Sequence, residues 1–261
     1  MKAVVIIPAR YASSRYPGKP LVELKGRDGI SKPLVQRTWE TACEVLPAAD
    51  IYVATDDDRI ARRVHEFGGQ VIMTSEACAN GTERCAEALA SLPGQPDIIV
   101  NLQGDAPLTP AWFLEDLIAA LADRTDIAVA TPVLRCDRQT YSHFRSDRAE
   151  GRVGGTTAVF ASDGSALYFS KEVVPFVPDK YDWETQAMPV FHHVGVYAYR
   201  PDALLRYRQW QEGLLETNEG LEQLRFLENG EKILCVEVEA RGRLFWELNN
   251  PVDVARIEEV L

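Results

Sequence analysis

The stretch AVVIIPARYASSRYPGKPL, residues 3–21, decides how the rest of the chain is read. Its first five residues form a continuous apolar run that ends at Pro8. A run this short, with no polar alternation, predicts a strand buried on both faces, as in a parallel sheet. The loop that follows is broken by Pro17, Gly18 and Pro20 and gathers Arg10, Arg15 and Lys19, with no acid before Glu23. The chain as a whole carries a formal net charge of −11, so this cationic loop contrasts with its surroundings. Ligands of α/β sheets bind beyond the carboxyl ends of the strands, which is where the loop begins. On charge alone it reads either as a solvated basic loop or as a cradle for a small anion.

Outward from this strand the pattern repeats. Residues 33–45 carry apolar groups at helical spacing behind Pro33, a residue suited to a first helical turn. IYVATD (51–56) reads as a strand whose Asp56 is expected to N-cap the helix of DDDRIARRVHEFGG, which stops at Gly68 and Gly69. QVIMTS (70–75) is a third strand, TERCAEALASL (82–92) a helix, and DIIVNLQGD (97–105) a fourth strand. Strands alternating with helices predict a parallel sheet covered on both faces. Beyond residue 125 the texture is mixed. IAVATPVL, ALYFSKEVVPF, HHVGVYAYR and KILCVEVE read as β, NEGLEQLRFLENG and PVDVARIEEVL as helices, and the polar stretch 135–155 as a mobile loop. This half is expected to continue the sheet with an inserted lobe.

Composition narrows the function. At 46% hydrophobic and 26% charged, the 261 residues suit a soluble globular protein. No apolar run approaches the roughly 18–20 residues that span a membrane, and no secretory signal is visible, so a cytoplasmic protein is expected. Five scattered cysteines without a C-x-x-C pair predict reduced thiols. The acidic balance speaks against nucleic-acid and membrane partners.

The strand-end loops carry the chemistry. YPGKP is not a P-loop, and no G-x-G-x-x-G follows the first strand, which disfavours a dinucleotide enzyme. Arg10 and Lys19, with the loop amides around Ser13, Ser14 and Gly18, can instead wrap a triphosphate and neutralise charge on departing pyrophosphate. In NLQGDAP (101–107), Asp105 suits magnesium, which takes one or two carboxylates plus phosphate oxygens; a helix-capping aspartate is the other reading. NGTERCAEAL (80–89) puts Thr82 and Glu83 at a helix start where Gly81 lets a ligand approach closely, with Arg84 able to reach the same cleft; an ordinary capped helix N-terminus is the other reading.

Together, P-A-R-Y-x-S-x-R-x-P-G-K-P-L (8–21), A-T-D-D (54–57), G-T-E-R (81–84), N-L-Q-G-D (101–105), A-L-Y-F-S (166–170), H-V-G-V-Y-A-Y (193–199) and L-E-Q-L-R (221–225) closely resemble the 3-deoxy-manno-octulosonate cytidylyltransferases. The resemblance covers nearly the whole chain. It implies a Rossmann-like, GT-A-like nucleotidyltransferase fold with a mostly parallel mixed sheet and a small inserted β-containing dimerisation lobe. A single domain is expected, residues 1–125 holding nucleotide and 126–261 serving acceptor binding and dimerisation. The implied reaction joins CMP from CTP to the anomeric hydroxyl of an eight-carbon acidic sugar for cell-surface polysaccharide, releases pyrophosphate and needs Mg2+. The partners implied are CTP, the acidic sugar and a second copy in a homodimer.

By motif match, Pro8, Ala9, Arg10, Ser13, Lys19, Gly81, Thr82, Arg84 and Asp105 would bind nucleotide, with Arg10, Lys19 and Asp105 catalytic. Gln103, His193, Tyr197, Glu222 and Gln223 would bind the acceptor. His193 can also be read as a base or as a core histidine. The family's V-D-T-P, whose aspartate is the second metal ligand, is replaced by WELNNP (246–251), which puts Asn249 beside Asp105 as the expected metal pair. Thr157 stands where the family has a lysine, Ala106 replaces an acidic or amide residue, and residues 27–31 look like an insertion. The nucleotide half is thus kept and the acceptor half drifts. That leaves a related acid or a phosphonate as alternative acceptor, a nucleotide other than CTP as alternative donor, and a non-catalytic nucleotide-binding paralogue as a further alternative.

Overall fold

A computed structural model describes residues 1–12, 16–243, 247–248 and 250–261. In chain order its elements are β1 (Ala3–Ala9), the short pair β2 (Glu23–Lys25) and β3 (Ser31–Pro33), α1 (Leu34–Cys43), β4 (Ile51–Thr55), α2 (Asp58–Glu66), β5 (Gln70–Met73), α3 (Gly81–Ala88), β6 (Ile98–Leu102), α4 (Ala111–Asp123) and β7 (Val129–Arg135). Then come α5 (Arg138–Ala149), β8 (Thr156–Phe160), β9 (Ala166–Ser170), β10 (Phe191–His193), β11 (Val196–Tyr199), α6 (Pro201–Tyr207), α7 (Leu214–Glu219), α8 (Leu224–Glu228), β12 (Ile233–Glu237) and α9 (Asp253–Glu258).

One large sheet runs β5-β4-β1-β6-β11-β7-β10-β8-β9, with β12 beside β7. β5, β4, β1 and β6 are mutually parallel, as the apolar runs predict, and β7, β12 and β8 share their direction. β11, β10 and β9 oppose it. Strand residues feed both faces alternately: Val5, Ile7 and Val100 pack with α1 and α4 side chains, Val4, Ile6 and Ile99 with those of α3 and α6. Burial on both faces is why β1 reads as an unbroken apolar run. Among the described residues no helix is long and apolar enough to cross a membrane.

Four expectations change. Asp57, not Asp56, caps α2, accepting from Arg59 N (2.8 Å) and Ile60 N (3.4 Å). Asp56 lies one residue too early to reach those amides and turns to Arg84. The stretch 135–155 is not a loop: α5 occupies most of it, capped by Asp137 accepting from Thr140 N (2.7 Å). Tyr141 and Phe144, three residues apart, pack with Cys136, Val177, Met188 and Val190, so a polar sequence hides a narrow apolar stripe. NEGLEQLRFLENG is two helices, because Gly220 takes a left-handed conformation (φ +60°) that ends α7 and leaves Leu221–Gln223 on a bend. HHVGVYAYR is also broken. His193 opposes Val133 while Ala198 opposes Ala130, so the longer segment bulges at Val194–Gly195.

Residues 27–31, the apparent insertion, span the turn of the β2–β3 hairpin and the first residue of β3. This hairpin holds the C-terminal helix: Lys25 N donates to Glu258 Oε1 (2.8 Å) and Arg27 Nη2 to the Glu259 carbonyl (3.1 Å). Leu24, Leu34, Leu248 and Ile257 form a small separate core there, with Tyr16 and Leu108 at its margin.

Candidate active site

The site is built at the carboxyl ends of β1, β4 and β6. β1 delivers Pro8 and Ala9, and the loop after it turns Arg10 outward, where its Nη1 donates to the Ala79 carbonyl (3.4 Å). The same loop returns Lys19 to the end of β6, where its Nζ lies 2.5 Å from Asp105 Oδ2. Both side chains are mostly covered, at 14% and 26% exposure, so this pair is largely shielded from solvent. Gly104 makes the approach possible, because a Cβ there would stand 2.7 Å from the Pro8 carbonyl oxygen. Ser13 and Asn249 lie outside the described residues. Leu248 N donates to the Asp105 carbonyl (2.8 Å), which brings the 247–248 segment beside the β6 loop.

The start of α3 forms the second wall. Asn80 caps it, accepting from Glu83 N (2.8 Å). Gly81 allows Gln103 to lie against the backbone, since a Cβ would stand 2.8 Å from Gln103 Nε2. The buried Thr82 hydroxyl meets Tyr199 OH at 2.9 Å. Arg84 is buried and fully engaged, donating to Asp56 Oδ2 (2.8 Å) and Thr74 Oγ1 (2.5 Å). Asp56 and Thr74 were not singled out as site residues from the sequence. Their signal was the two strand ends at which they stand, both on the side where ligands bind.

Of the residues expected from the sequence to bind the acceptor, Glu222 and Gln223 lie on the bend between α7 and α8. Glu222 Oε2 accepts from Thr82 N (3.0 Å) and its Oε1 from Gln103 Nε2 (3.3 Å). This half-buried carboxylate has its pKa raised above the usual range, chiefly by burial, against the lowering effect of the Thr82 bonds. Gln223 Oε1 accepts from Tyr197 OH (3.0 Å), while its buried Nε2 has no acceptor among the described residues. A buried donor in that condition is suited to an oxygen of a bound molecule. His193 lies beside Tyr197, with tilted rings whose centroids are 5.6 Å apart, but its Nε2 faces inward to Thr131 Oγ1 at 2.9 Å. Thr131 gives its own proton to a carbonyl, the shorter contact being Val196 O (2.8 Å), so Nε2 carries the hydrogen of a neutral ring. Burial, with a smaller effect of His192, lowers its pKa to about 3. At neutral pH this histidine is an uncharged donor.

The structure therefore brings Lys19 to Asp105, Gln103 to Gly81 and Glu222, Glu222 to Thr82, and Tyr197 to both His193 and Gln223. Asp105 also passes a test of fit for a hard divalent ion. Its carboxylate oxygen already holds one cation, the Lys19 ammonium, and such an ion needs only one or two protein carboxylates when phosphate oxygens complete its shell. Thr157, by contrast, is buried and donates to the Glu172 carbonyl (2.7 Å), with no cation in its place.

Comparison with known proteins accords with this geometry. Residues 4–233 match the family model described as cytidylyltransferase. The 3-deoxy-manno-octulosonate cytidylyltransferase of Maricaulis maris is 39% identical over 100% of this chain and 97% of its own. That of Chlamydia pneumoniae is 40% identical over 98% and 92%. A solved complex of CMP:2-keto-3-deoxy-manno-octonic acid synthetase with CTP superposes with a TM-score of 0.82 at 33% identity, covering 99% of this chain and 98% of that one. A cytidylyltransferase from Leptospira borgpetersenii shares the fold at 18% identity, with a TM-score of 0.55 over 95% of this chain and 82% of that one. By sequence along its full length and by fold, the chain belongs to the cytidylyltransferase family, among the 3-deoxy-manno-octulosonate cytidylyltransferases.

Proposed function

We propose that this protein transfers CMP from CTP to the anomeric hydroxyl of 3-deoxy-manno-octulosonate or a close analogue, releasing pyrophosphate. The observation that carries the reading is the contiguity of two sets of side chains. The Lys19–Asp105 pair sits at the end of β6, and Gln103, two residues earlier, is tied through Glu222 to the Thr82 amide. This adjacency supports nucleotide and acceptor sites that adjoin at the end of β6.

Attack of the hydroxyl on the α-phosphorus forms one P–O bond as the bond to pyrophosphate breaks. Such a displacement asks the protein for alignment and charge neutralisation rather than for a covalent intermediate. Arg10 and Lys19 are the cations for the triphosphate, with Lys19 exchanging its Asp105 contact for phosphate oxygens. Thr82 and Arg84 line the nucleotide pocket, Arg84 held rigid by Asp56 and Thr74. Gln103, Tyr197, Glu222 and Gln223 orient the sugar acid, and neutral His193 braces Tyr197. Asp105, with Asn249 as the second ligand from its sequence position, would hold Mg2+, which when bound would supply charge neutralisation at the phosphates.

We further propose one nucleotidyltransferase domain, with residues 1–125 serving nucleotide and 126–261 acceptor and dimer contact. Exposed Val153, Leu167 and Phe176 support a homodimer through the later half. Five free thiols support a cytoplasmic setting. The second reading, a different ulosonic acid or a phosphonate as acceptor, rests on Thr157, which offers no cation where the resemblance implies a lysine, and turnover of such an acid above the octulosonate would select it.

The test is pyrophosphate release from CTP and Mg2+ with 3-deoxy-manno-octulosonate against a panel of sugar acids and phosphonates. Turnover with the octulosonate above the rest of the panel is expected. Absence of turnover with every acid overturns the reading in favour of a nucleotide-binding paralogue.

A further inference from the structure

Behind the site lies a buried network that substrates need not touch. Arg225, 5% exposed, forks onto Glu216, with Nε to Oε2 at 2.6 Å and Nη2 to Oε1 at 2.8 Å. Its guanidinium carbon lies 4.3 Å from the centre of the Tyr207 ring, and its Nη1 donates to Glu83 Oε1 (2.9 Å) and to the Trp210 carbonyl (3.4 Å). Such an arrangement holds a planar cation in one orientation.

Two branches leave it. Along the first, Glu83 Oε2 accepts from Ala79 N (2.9 Å), and the Ala79 carbonyl accepts from Arg10. Along the second, Tyr207 OH contacts the Glu222 carbonyl (3.2 Å) and Glu216 Oε1 (3.3 Å), and receives Asn80 Nδ2 (3.0 Å). Asn80 caps α3, whose Thr82 N binds the Glu222 carboxylate. One cation therefore sets both the turn that supports Arg10 and the bend that presents Glu222.

We infer that Arg225, acting through Glu83 and Glu216, is a positioning residue shared by the nucleotide and acceptor sites, so that loosening it weakens both substrates together. The inference rests on the proposed cytidylyl transfer. It differs from simple structural support, because support alone changes the melting temperature or the amount of active enzyme without moving two Michaelis constants in step.

The probe is Glu83, at 23% side-chain exposure the accessible end of the network. Glu83→Ala removes the links to both Arg225 and Ala79. Glu83→Gln keeps an acceptor for Ala79 N and loses the charge facing Arg225. Pyrophosphate release is measured with CTP and 3-deoxy-manno-octulosonate varied in turn, alongside circular-dichroism melts. In Glu83→Ala both KM values are expected to rise by about threefold or more with kcat within about twofold, and Glu83→Gln to fall between it and the parent. A rise in one KM alone, no rise in either, or a fall in kcat with both KM values unchanged overturns the inference. If Glu83→Ala fails to fold, the same criteria apply to Glu83→Gln, where both KM values must rise. Parent enzyme that turns over no acid overturns the proposed reaction itself, whereas an active parent with only one KM altered overturns the coupling alone.

Discussion

At the residue scale, the proposed reaction rests on Asp105 and Lys19 as a pair. Asp105→Asn keeps the shape but leaves an amide where a cation is held, and Lys19→Met removes the ammonium 2.5 Å away. Each is expected to lower kcat by about 10²–10³-fold, the usual loss for one preorganised electrostatic contact, with the melting temperature little changed. Pyrophosphate release at saturating CTP checks it. His193 gives a pH prediction. Its pKa of about 3 in the folded protein lies below the ordinary 6.5, so between those values the unfolded chain binds the extra proton. Stability is therefore present above pH 6.5 and is lost as pH falls through the window, at up to about 1.4 kcal/mol per pH unit. Urea unfolding at pH 7 and pH 5 is expected to show a smaller difference for His193→Gln than for the parent. Equal differences in both proteins would remove His193 as the cause.

At the element scale, two adjacent aspartates separate capping from the site. Asp57→Ala removes an N-cap from α2 and should cost about 1 kcal/mol. Asp56→Ala leaves the buried Arg84 guanidinium without its carboxylate, a loss of about 3–5 kcal/mol, together with weaker CTP binding. Denaturant unfolding with nucleotide titration distinguishes them, and equal costs would contradict the assignment. The segment that leads into the C-terminal helix α9 has a comparable role at the other wall. Leu248 is fully buried among Leu24, Leu34 and Ile257, and its amide holds the Asp105 carbonyl. Leu248→Ala is expected to cost about 2–5 kcal/mol and to raise the CTP requirement, measured in the same assays. Helices and strands of the first half were legible because their apolar periods are regular. α5 was not, because its buried stripe is only Tyr141 and Phe144 within a run of charges, and the α7–α8 break turns on the single left-handed Gly220.

At the scale of the whole molecule, the sheet changes character at β11. The parallel strands β5, β4, β1 and β6 end together on the side where Asp105 lies, and the antiparallel strands beyond carry His193 and Tyr197. Exposed Phe176, Leu167 and Val153 lie on the later half, and light scattering is expected to give about twice the chain mass if they meet a second copy. A monomer at all working concentrations would overturn the homodimer. The alternating apolar runs, the Pro- and Gly-broken basic loop and the ordered motifs determined by themselves the parallel half and its strand ends, and pointed to Arg10, Lys19, Thr82, Arg84 and Asp105 as the residues to test there. Those features are local, written in neighbouring positions. Only the tertiary structure decided that Asp56 serves Arg84 rather than a helix cap, that His193 faces Thr131, and that Arg225 joins Glu216 to Glu83. Each of those contacts, apart from the nine-residue span from Arg225 to Glu216, links segments about 28 to 142 positions apart. Burial and hydrogen-bond geometry across such distances select the partner, and no sequence period records them.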